Sequence, residues 1–273
     1  MIFSNDSASL SSWTFKSRKF IAEQVETLGE VEFALLAEAC EVSEMTIRRD
    51  IETLEQAGAL RRVLGGAISI GGTAQEPPFQ LRASVAAEEK ELIAHAVVDL
   101  LSSGETVVLD SGSTVLSVAR EIRRRATTLT VVTPSVLVAL ELSDSDAINV
   151  HLLGGLLRSG ELSLIGPDTV EQLNQFNCDT AVLGVAGIDL AGGISDYHRD
   201  EAYVKKAAIR AARRTIVAAD HSKLGRSSLI KIAGLEEISV IVTDGSPRHP
   251  TLVEAQSRGV SVTAVQSKEE VSQ

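Results

Sequence analysis

The chain has 273 residues, 44% hydrophobic and 23% charged, a globular balance that excludes a disordered chain, a collagen-like repeat or a disulfide-stapled peptide. The length suits one large domain or two of modest size. A formal net charge of −11 excludes wholesale coating of nucleic acid or acidic membrane, though a small basic face can still bind DNA, and an aromatic content of 3% excludes base stacking on aromatic platforms.

Residues 1–14 read as a loose tail: Met1 to Ser12 is rich in Ser and lacks the basic-then-apolar pattern of a secretory signal. No run of about 18 uncharged apolar residues occurs, so no spanning helix and no membrane partner are expected. Cys40 and Cys178 sit in apolar contexts. They read as buried packing residues of a cytoplasmic protein, and no His, Cys, Asp or Glu spacing suggests a metal. No cofactor is expected.

The first helix is expected from Phe15 to Leu28, with Ile21, Val25 and Leu28 on its buried face and Gly29 ending it. A second, Ala34 to Cys40, would bury Leu35, Leu36 and Ala39. After the turn Glu41-Val42-Ser43, Ser43 is a good N-cap for a third helix running to Gln56 and closed by Gly58. Leu60 to Ile70 reads as a hairpin turning at Gly65-Gly66, with Arg61 and Arg62 on its arm. Together these spell a winged helix-turn-helix over residues 15–70. On the third helix Ile47, Ile51 and Leu54 share one face, Met45, Arg49 and Gln56 the other, and Thr46 and Arg48 flank them. That is the layout of a recognition helix, although a solvated charged face gives the same spacing. Residues 1–66 hold 7 basic and 11 acidic residues, and four of the seven basics lie in this helix and wing. The rest, Lys16, Arg18 and Lys19, open the first helix, where they could meet phosphates.

Residues 71–79, glycines followed by Pro77-Pro78, read as a linker. Beyond it, residues 80–273 read as a mostly parallel, Rossmann-like α/β domain. Apolar runs at Thr106–Leu109, Leu129–Val132, Asn149–Leu153, Thr180–Val185, Thr215–Ala218, Val240–Thr243 and Val260–Val265 alternate with helices. The clearest helices are Ala86–Leu101, Val115–Arg124, Asp168–Phe176 and Asp200–Arg213. Ligands of such sheets bind beyond the carboxyl ends of the strands. The first strand there ends in Asp110-Ser111-Gly112-Ser113-Thr114, which suits an anion cradle and equally a plain N-cap. It is neither a Walker motif nor a dinucleotide fingerprint. Other strand ends carry Thr133-Pro134-Ser135, Gly154-Gly155 and Asp220-His221-Ser222-Lys223.

Ser43-Glu44-Met45-Thr46-Ile47-Arg48-Arg49-Asp50-Ile51, with Leu54-Glu55, Gly58, Leu60-Arg61-Arg62 and Gly65-Gly66-Ala67, resembles the DNA-binding signature of DeoR-type bacterial repressors. Val63-Leu64 departs from it where that family often has a polar or His residue. Glu89-Lys90, Asp110 to Thr114, Thr133 to Ser135, Leu153-Gly154-Gly155, Gly187-Ile188-Asp189, Glu201 with Lys205, and Asp220 to Lys223 resemble the same family's effector domain. That domain in turn resembles ribose-5-phosphate isomerase and usually takes a phosphorylated sugar. The resemblance implies a repressor of carbohydrate catabolism that acts as a homo-oligomer on a double-stranded operator. It implies Ser43, Met45, Thr46, Arg48, Arg49, Arg61 and Arg62 at DNA. For the effector it implies Lys90, Asp110, Ser111, Gly112, Ser113, Thr114, Gly154, Gly155, Glu201, Lys205 and Lys223. Ser111 to Thr114 would cradle phosphate, Lys90 and Lys223 would balance its charge, and Glu201 and Asp110 would accept from sugar hydroxyls. Lys90 and Lys205 also read as surface helix charges, and His198 and His221 as loop residues. A phosphosugar isomerase is the alternative function, but the glycine-rich loop such an enzyme carries ahead of its glutamate is replaced by Ser195-Asp196-Tyr197-His198-Arg199.

Overall fold

The computed structural model describes residues 17–25, 30–56, 59–69 and 76–265. The expected tail, both ends of the first helix, Gly58, Ile70 and linker residues 71–75 lie outside the described residues. The chain divides into two compact units, Met1–Val85 and Ala86–Gln273.

In the first unit α1 (residues 17–25) precedes β1 (Glu30–Glu32), α2 (Phe33–Ala39), α3 (Glu44–Gln56), β2 (Leu60–Val63), β3 (Gly66–Ser69) and α4 (Phe79–Ser84). The strands pair antiparallel in the order β1-β3-β2, which makes the unit a winged helix-turn-helix. β1 is not legible beforehand, because Glu-Val-Glu offers a single apolar residue, Val31. α2 differs in phase from expectation. It buries Phe33, Leu36 and Ala37, an i, i+3, i+4 stripe, and leaves Leu35 58% exposed and Ala39 at the surface. The large Phe33 ring sets that rotation. Ile21 and Val25 of α1 and Ile47, Ile51 and Leu54 of α3 complete the core with Leu60 and Ala67. Each fully buried Ile or Leu contributes roughly 1.5–3 kcal/mol. Asp50, buried on α3, accepts hydrogen bonds from Ser17 Oγ at 2.9 Å and Arg18 Nε at 2.8 Å. That pins α1 to α3 and turns Arg18 inward. Cys40 is only partly buried against this core, whereas Cys178 of the second unit is buried, which pushes its thiol up to about 11.

The wing turns one residue earlier than expected. Val63 pairs with Gly66, so Leu64 and Gly65 form the turn, and Gly65 takes a φ of +91°. Gly66 instead opens β3, where a Cβ would collide with the Val31 carbonyl of β1.

The second unit runs α5 (Ala87–Asp99), β4 (Thr106–Leu109), α6 (Ser113–Arg125), β5 (Leu129–Thr133), α7 (Val136–Leu142), β6 (Ile148–Leu152), β7 (Leu156–Arg158), β8 (Ser163–Ile165) and α8 (Pro167–Leu173). It continues with β9 (Cys178–Leu183), β10 (Gly187–Asp189), β11 (Gly193–Asp196), α9 (Arg199–Ala211), β12 (Ala212–Ala218), β13 (Ile230–Ala233), β14 (Val240–Thr243), α10 (Pro250–Ser257) and β15 (Ser261–Ala264). All seven expected strands lie in one parallel sheet, ordered β15-β14-β12-β9-β4-β5-β6. Strand order reverses between β4 and β9, the switch point of a doubly wound fold. Their centres are apolar on both faces: Val107, Val108, Leu109, Ala181, Val182 and Leu183 are wholly buried. The expected helix through Arg213 stops at Ala211, because pairing of Ala212 with Cys178 draws the next residues into β12. There Arg214 donates to Thr180 Oγ1 at 2.7 Å and to the Leu100 carbonyl at 2.7 Å. The hairpin β7-β8 and the antiparallel sheet β10-β11-β13 are additions that the sequence pattern does not announce.

Gly66→Ala should destabilise the first unit by ~1–3 kcal/mol through overpacking, while Leu64→Ser, at a fully exposed turn position, should change little. Urea unfolding of the full chain followed by circular dichroism checks both; equal midpoints would refute the close approach.

Candidate nucleic-acid interface and effector site

α3 begins as its cap predicts. Thr46 N donates to Ser43 Oγ at 3.3 Å, and the two hydroxyls lie 3.0 Å apart. With Ile47 and Ile51 wholly buried, the helix turns Ser43, Met45 and Arg49 outward, Met45 being 75% exposed. Thr46 and Arg48 flank them, half-buried, while the Gln56 side chain lies outside the described residues. Arg48 leans on Glu44 at 3.3 Å, and its guanidinium lies 4.5 Å from the centre of the Phe33 ring. Arg62 of the wing approaches the same ring at 6.0 Å, and its backbone N–H donates to Glu55 at 2.9 Å. Phe33 therefore links recognition helix and wing, a role that sequence reading missed. Arg49 and Arg61 are exposed and, among the described residues, form no ion pair.

In the second unit all seven strands are parallel, so their carboxyl ends share one edge. Asp110, Gly184, Asp220 and Asp244 follow the adjacent strands β4, β9, β12 and β14 along it. At the switch point the Lys205 ammonium of α9 bonds Asp110, donates to the Gly184 carbonyl at 3.0 Å and lies 3.4 Å from Asp196. Gly184 N–H donates back to Asp110 at 3.2 Å. Lys205 is 3% exposed, so it is no surface charge. Burial would push it down, but Asp110, Asp196 and Glu201 together hold it firmly protonated. Burial raises Asp110, against the pull of Lys205, and repulsion from Asp196 adds to the rise. Glu201 accepts from Ser163 at 2.6 Å and pairs with Arg158 at 2.7 Å. Its burial favours the neutral acid, yet Lys205, Ser163 and Arg158 keep its carboxyl below the usual range.

Beside this knot, Gly112 takes a φ of +106°, open only to glycine at low cost, and starts α6 with nothing close to where a Cβ would stand. Ser111, Ser113 and Thr114 are buried around it, and first-turn N–H groups have no intrahelical acceptor. The C-terminal end of α6 carries Arg123, Arg124 and Arg125, which complement the helix dipole. Lys90 of α5 is likewise buried, at 4% exposed. Burial would raise Asp220, but Lys223 first and Lys90 next hold its carboxyl down to about 2. Both ammonium groups therefore act electrostatically on Asp220. His221 donates through its backbone to Asp244 at 2.6 Å, and its Nδ1 meets the other carboxylate oxygen at 2.6 Å. That bond, with the nearby negative charges, raises the half-exposed imidazole to about 9.

Gly154 and Gly155, just after β6, pack against α8. Gly154 N–H donates to Gln172 at 2.8 Å, and its carbonyl accepts from Thr169 at 2.8 Å. A Cβ on Gly155 would strike Thr169. The pair lets the end of β6 close against α8, where the Gly154 N–H and carbonyl are both engaged. Sequence reading missed Asp196, Asp244, Arg158 and Ser163. The rule of strand ends could have found Asp244; nothing local marks Arg158 or Ser163. Among the described residues no helix is long and apolar enough to cross a membrane.

A winged helix followed by a doubly wound sheet with charged groups along its carboxyl edge is the make-up of a DNA-binding regulator with a separate sensing unit. The family model for the DeoR-like helix-turn-helix domain matches residues 18–73, and that for the DeoR C-terminal sensor domain matches residues 85–245. The chain belongs to the DeoR family of transcriptional regulators. It is 36% identical to the HTH-type transcriptional regulator GlpR of Haloferax volcanii, over 81% of this chain and 86% of that one. The HTH-type transcriptional repressor GlcR of Bacillus subtilis is 34% identical, over 84% and 88%. The glycerol-3-phosphate regulon repressor of Escherichia coli is 32% identical, over 83% and 89%. Among solved structures, ribose 5-phosphate isomerase A of Methanocaldococcus jannaschii is similar at 19% identity and a TM-score of 0.38, over 51% of this chain and 55% of that one, too slight an overlap to define a common fold.

The His221 imidazolium contributes stability that is full below its ordinary pKa of 6.5 and is lost as pH rises through about 9. The contribution is modest, since solvent screens the half-exposed ring. His221→Gln should flatten the alkaline fall in melting temperature across that window, and a nuclear magnetic resonance titration should place the wild-type ring near 9; an ordinary midpoint would refute the Asp244 pairing.

Proposed function

We propose that the chain represses a carbohydrate catabolic operon and is released from DNA by a phosphorylated sugar. The observation that carries the DNA half is α3, which buries Ile47, Ile51 and Leu54 and presents Ser43, Met45 and Arg49 beside a wing bearing Arg61 and Arg62. In this reading Arg49 and Met45 meet base edges in the major groove, and Arg48, Arg61 and Arg62 meet phosphates. Ser43 and Thr46 set the helix start and can donate to the same backbone.

The effector half rests on the carboxyl edge of the large sheet. The Gly112 turn and the first turn of α6 suit a phosphate, with Lys90 and Lys223 balancing its charge. Asp110 and Glu201 are placed for sugar hydroxyls, and Lys205 holds them in position. Gly154 and Gly155 act as the packed corner that closes the edge. The names of the relatives, a glycerol-3-phosphate regulon repressor among them, agree with a phosphorylated carbohydrate signal. Isomerase chemistry is less well served, because a carboxylate kept below its usual pKa, as Glu201 is, makes a weak general base.

Full switching from mostly bound to mostly free requires about 5.5 kcal/mol of differential effector affinity. Arg49→Ala should weaken specific operator binding by ~1–3 kcal/mol and relax sequence preference, whereas Arg61→Ala should weaken all sequences alike and lower the salt slope by about one. Gel-shift titration against duplexes from the chain's own upstream region reads both; unchanged affinity in Arg49→Ala removes it from the reading surface. In a thermal-shift panel of sugar phosphates, an effector at 100 times its Kd should add about 2.7 kcal/mol of stability. Lys223→Ala should abolish most of that gain, and a gain that survives would place the phosphate elsewhere.

A further inference from the structure

We propose that the groove between α8 and α9 is a second ligand site, which takes a small organic acid with an apolar body and a single carboxylate. The groove encloses about 330 Å³ and is walled by Pro167 and Val170 of α8 and by Asp200, Tyr203, Lys206 and Arg210 of α9. At about 100° per residue, Arg199, Tyr203, Lys206 and Arg210 fall on one stripe of α9, and Glu201 and Lys205 on the opposite one. The groove is therefore separate from the Lys205 knot and from the residues that the effector reading uses.

The apolar part of the groove is already in place. Val170 packs on the core of the second unit from one side, and Pro167 stands a turn before it. Tyr203 faces them with its side chain 42% exposed. Its hydroxyl accepts from Arg199 Nε and Nη2, each at 3.1 Å, so the ring is held by its polar end and its apolar body stays available. A concave, mainly apolar lining with a few converging polar groups is the make-up of a small-molecule site. The α8 wall has seven residues, about 10 Å of helix, too short to seat a helix or strand of a partner protein.

Charge selects the occupant. The chain carries 37 acidic and 26 basic residues, so a basic side chain without an acidic neighbour is the exception. Among the described residues Lys206 and Arg210 form no ion pair, and Arg199 bonds only Tyr203. The Lys206 ammonium lies 5.8 Å from the centre of the Tyr203 ring. Arg210 follows one turn later, a spacing that lets both cations reach the same carboxylate. Asp200 is the one acid among the lining residues. It stands at the start of α9, roughly 15 Å along the helix from Arg210. That end of the groove repels a second negative charge, which restricts the ligand to one carboxylate.

The test is isothermal titration calorimetry of the full chain at low ionic strength, without DNA or sugar phosphate, so its outcome is independent of the effector reading. Hydrocinnamate, an aromatic ring on a short chain ending in a carboxylate, should bind with a Kd of about 1 mM or below. Its neutral amide, and phenylenedipropionate with a second carboxylate at the far end, should each bind about tenfold more weakly. Lys206→Gln and Arg210→Gln should each raise the hydrocinnamate Kd about tenfold, and glutamine suits a helix at both positions. Arg213→Gln, which removes an 84% exposed arginine outside the groove, should leave it unchanged. No binding of hydrocinnamate at millimolar concentration, an amide or diacid that binds as well, or Lys206 and Arg210 variants with wild-type affinity overturns the proposal. Binding of a glutamate-rich peptide in place of hydrocinnamate also overturns it and gives the groove to a protein partner.

Discussion

The second unit depends on one buried ammonium. Lys205 lies on α9, yet it binds Asp110 after β4, the Gly184 carbonyl after β9, and Asp196 on β11. Three separate pieces of chain therefore converge on a single positive charge. Such groups cost desolvation, and an apolar replacement of the same volume could match their stability. What the ammonium supplies is position. It fixes the two strand ends at the point where the sheet order reverses, and it gathers carboxylates that would otherwise repel. The Gly112 turn is left uncrowded, while the neighbouring Asp110 is held by Lys205.

The first unit is organised differently, around an aromatic ring. Phe33 is buried among Ile, Leu and Val, but its ring also meets the guanidinium of Arg48 and, at longer range, that of Arg62. The core thus reaches the basic surface directly. Asp50 adds a second constraint by tying α3 to the start of α1 through Ser17 and Arg18. A recognition helix held at both its core face and its flank offers side chains of defined direction, which lowers the entropy lost on meeting DNA.

Much of this architecture is legible in the amino-acid sequence. The seven parallel strands are apolar on both faces, so their continuous runs stood out, and two of them, Thr106–Leu109 and Val240–Thr243, match residue for residue. The short elements were not readable. β7, β8 and β10 have three residues each, too few to show a period. Their pairing is decided by contacts with distant chain. The same division holds for the candidate site. Asp110 to Thr114 and Asp220 to Lys223 follow strands of the large parallel sheet, and that rule singles them out as candidates. Asp196, Arg158 and Ser163 come from short antiparallel strands whose place depends on the completed fold. The turn of the wing was misplaced by one residue because β1, invisible in sequence, claims Gly66.

The β7-β8 hairpin has two faces and only three residues per strand. Leu157 and Arg158 are covalent neighbours, one facing outward and the other bonded to Glu201. The two cannot be adjusted independently: a backbone shift of a few tenths of an ångström that moves Arg158 against Glu201 moves Leu157 as well. A substitution that alters the Arg158–Glu201 pair would then be accompanied by compensating change on the opposite side of the same ribbon.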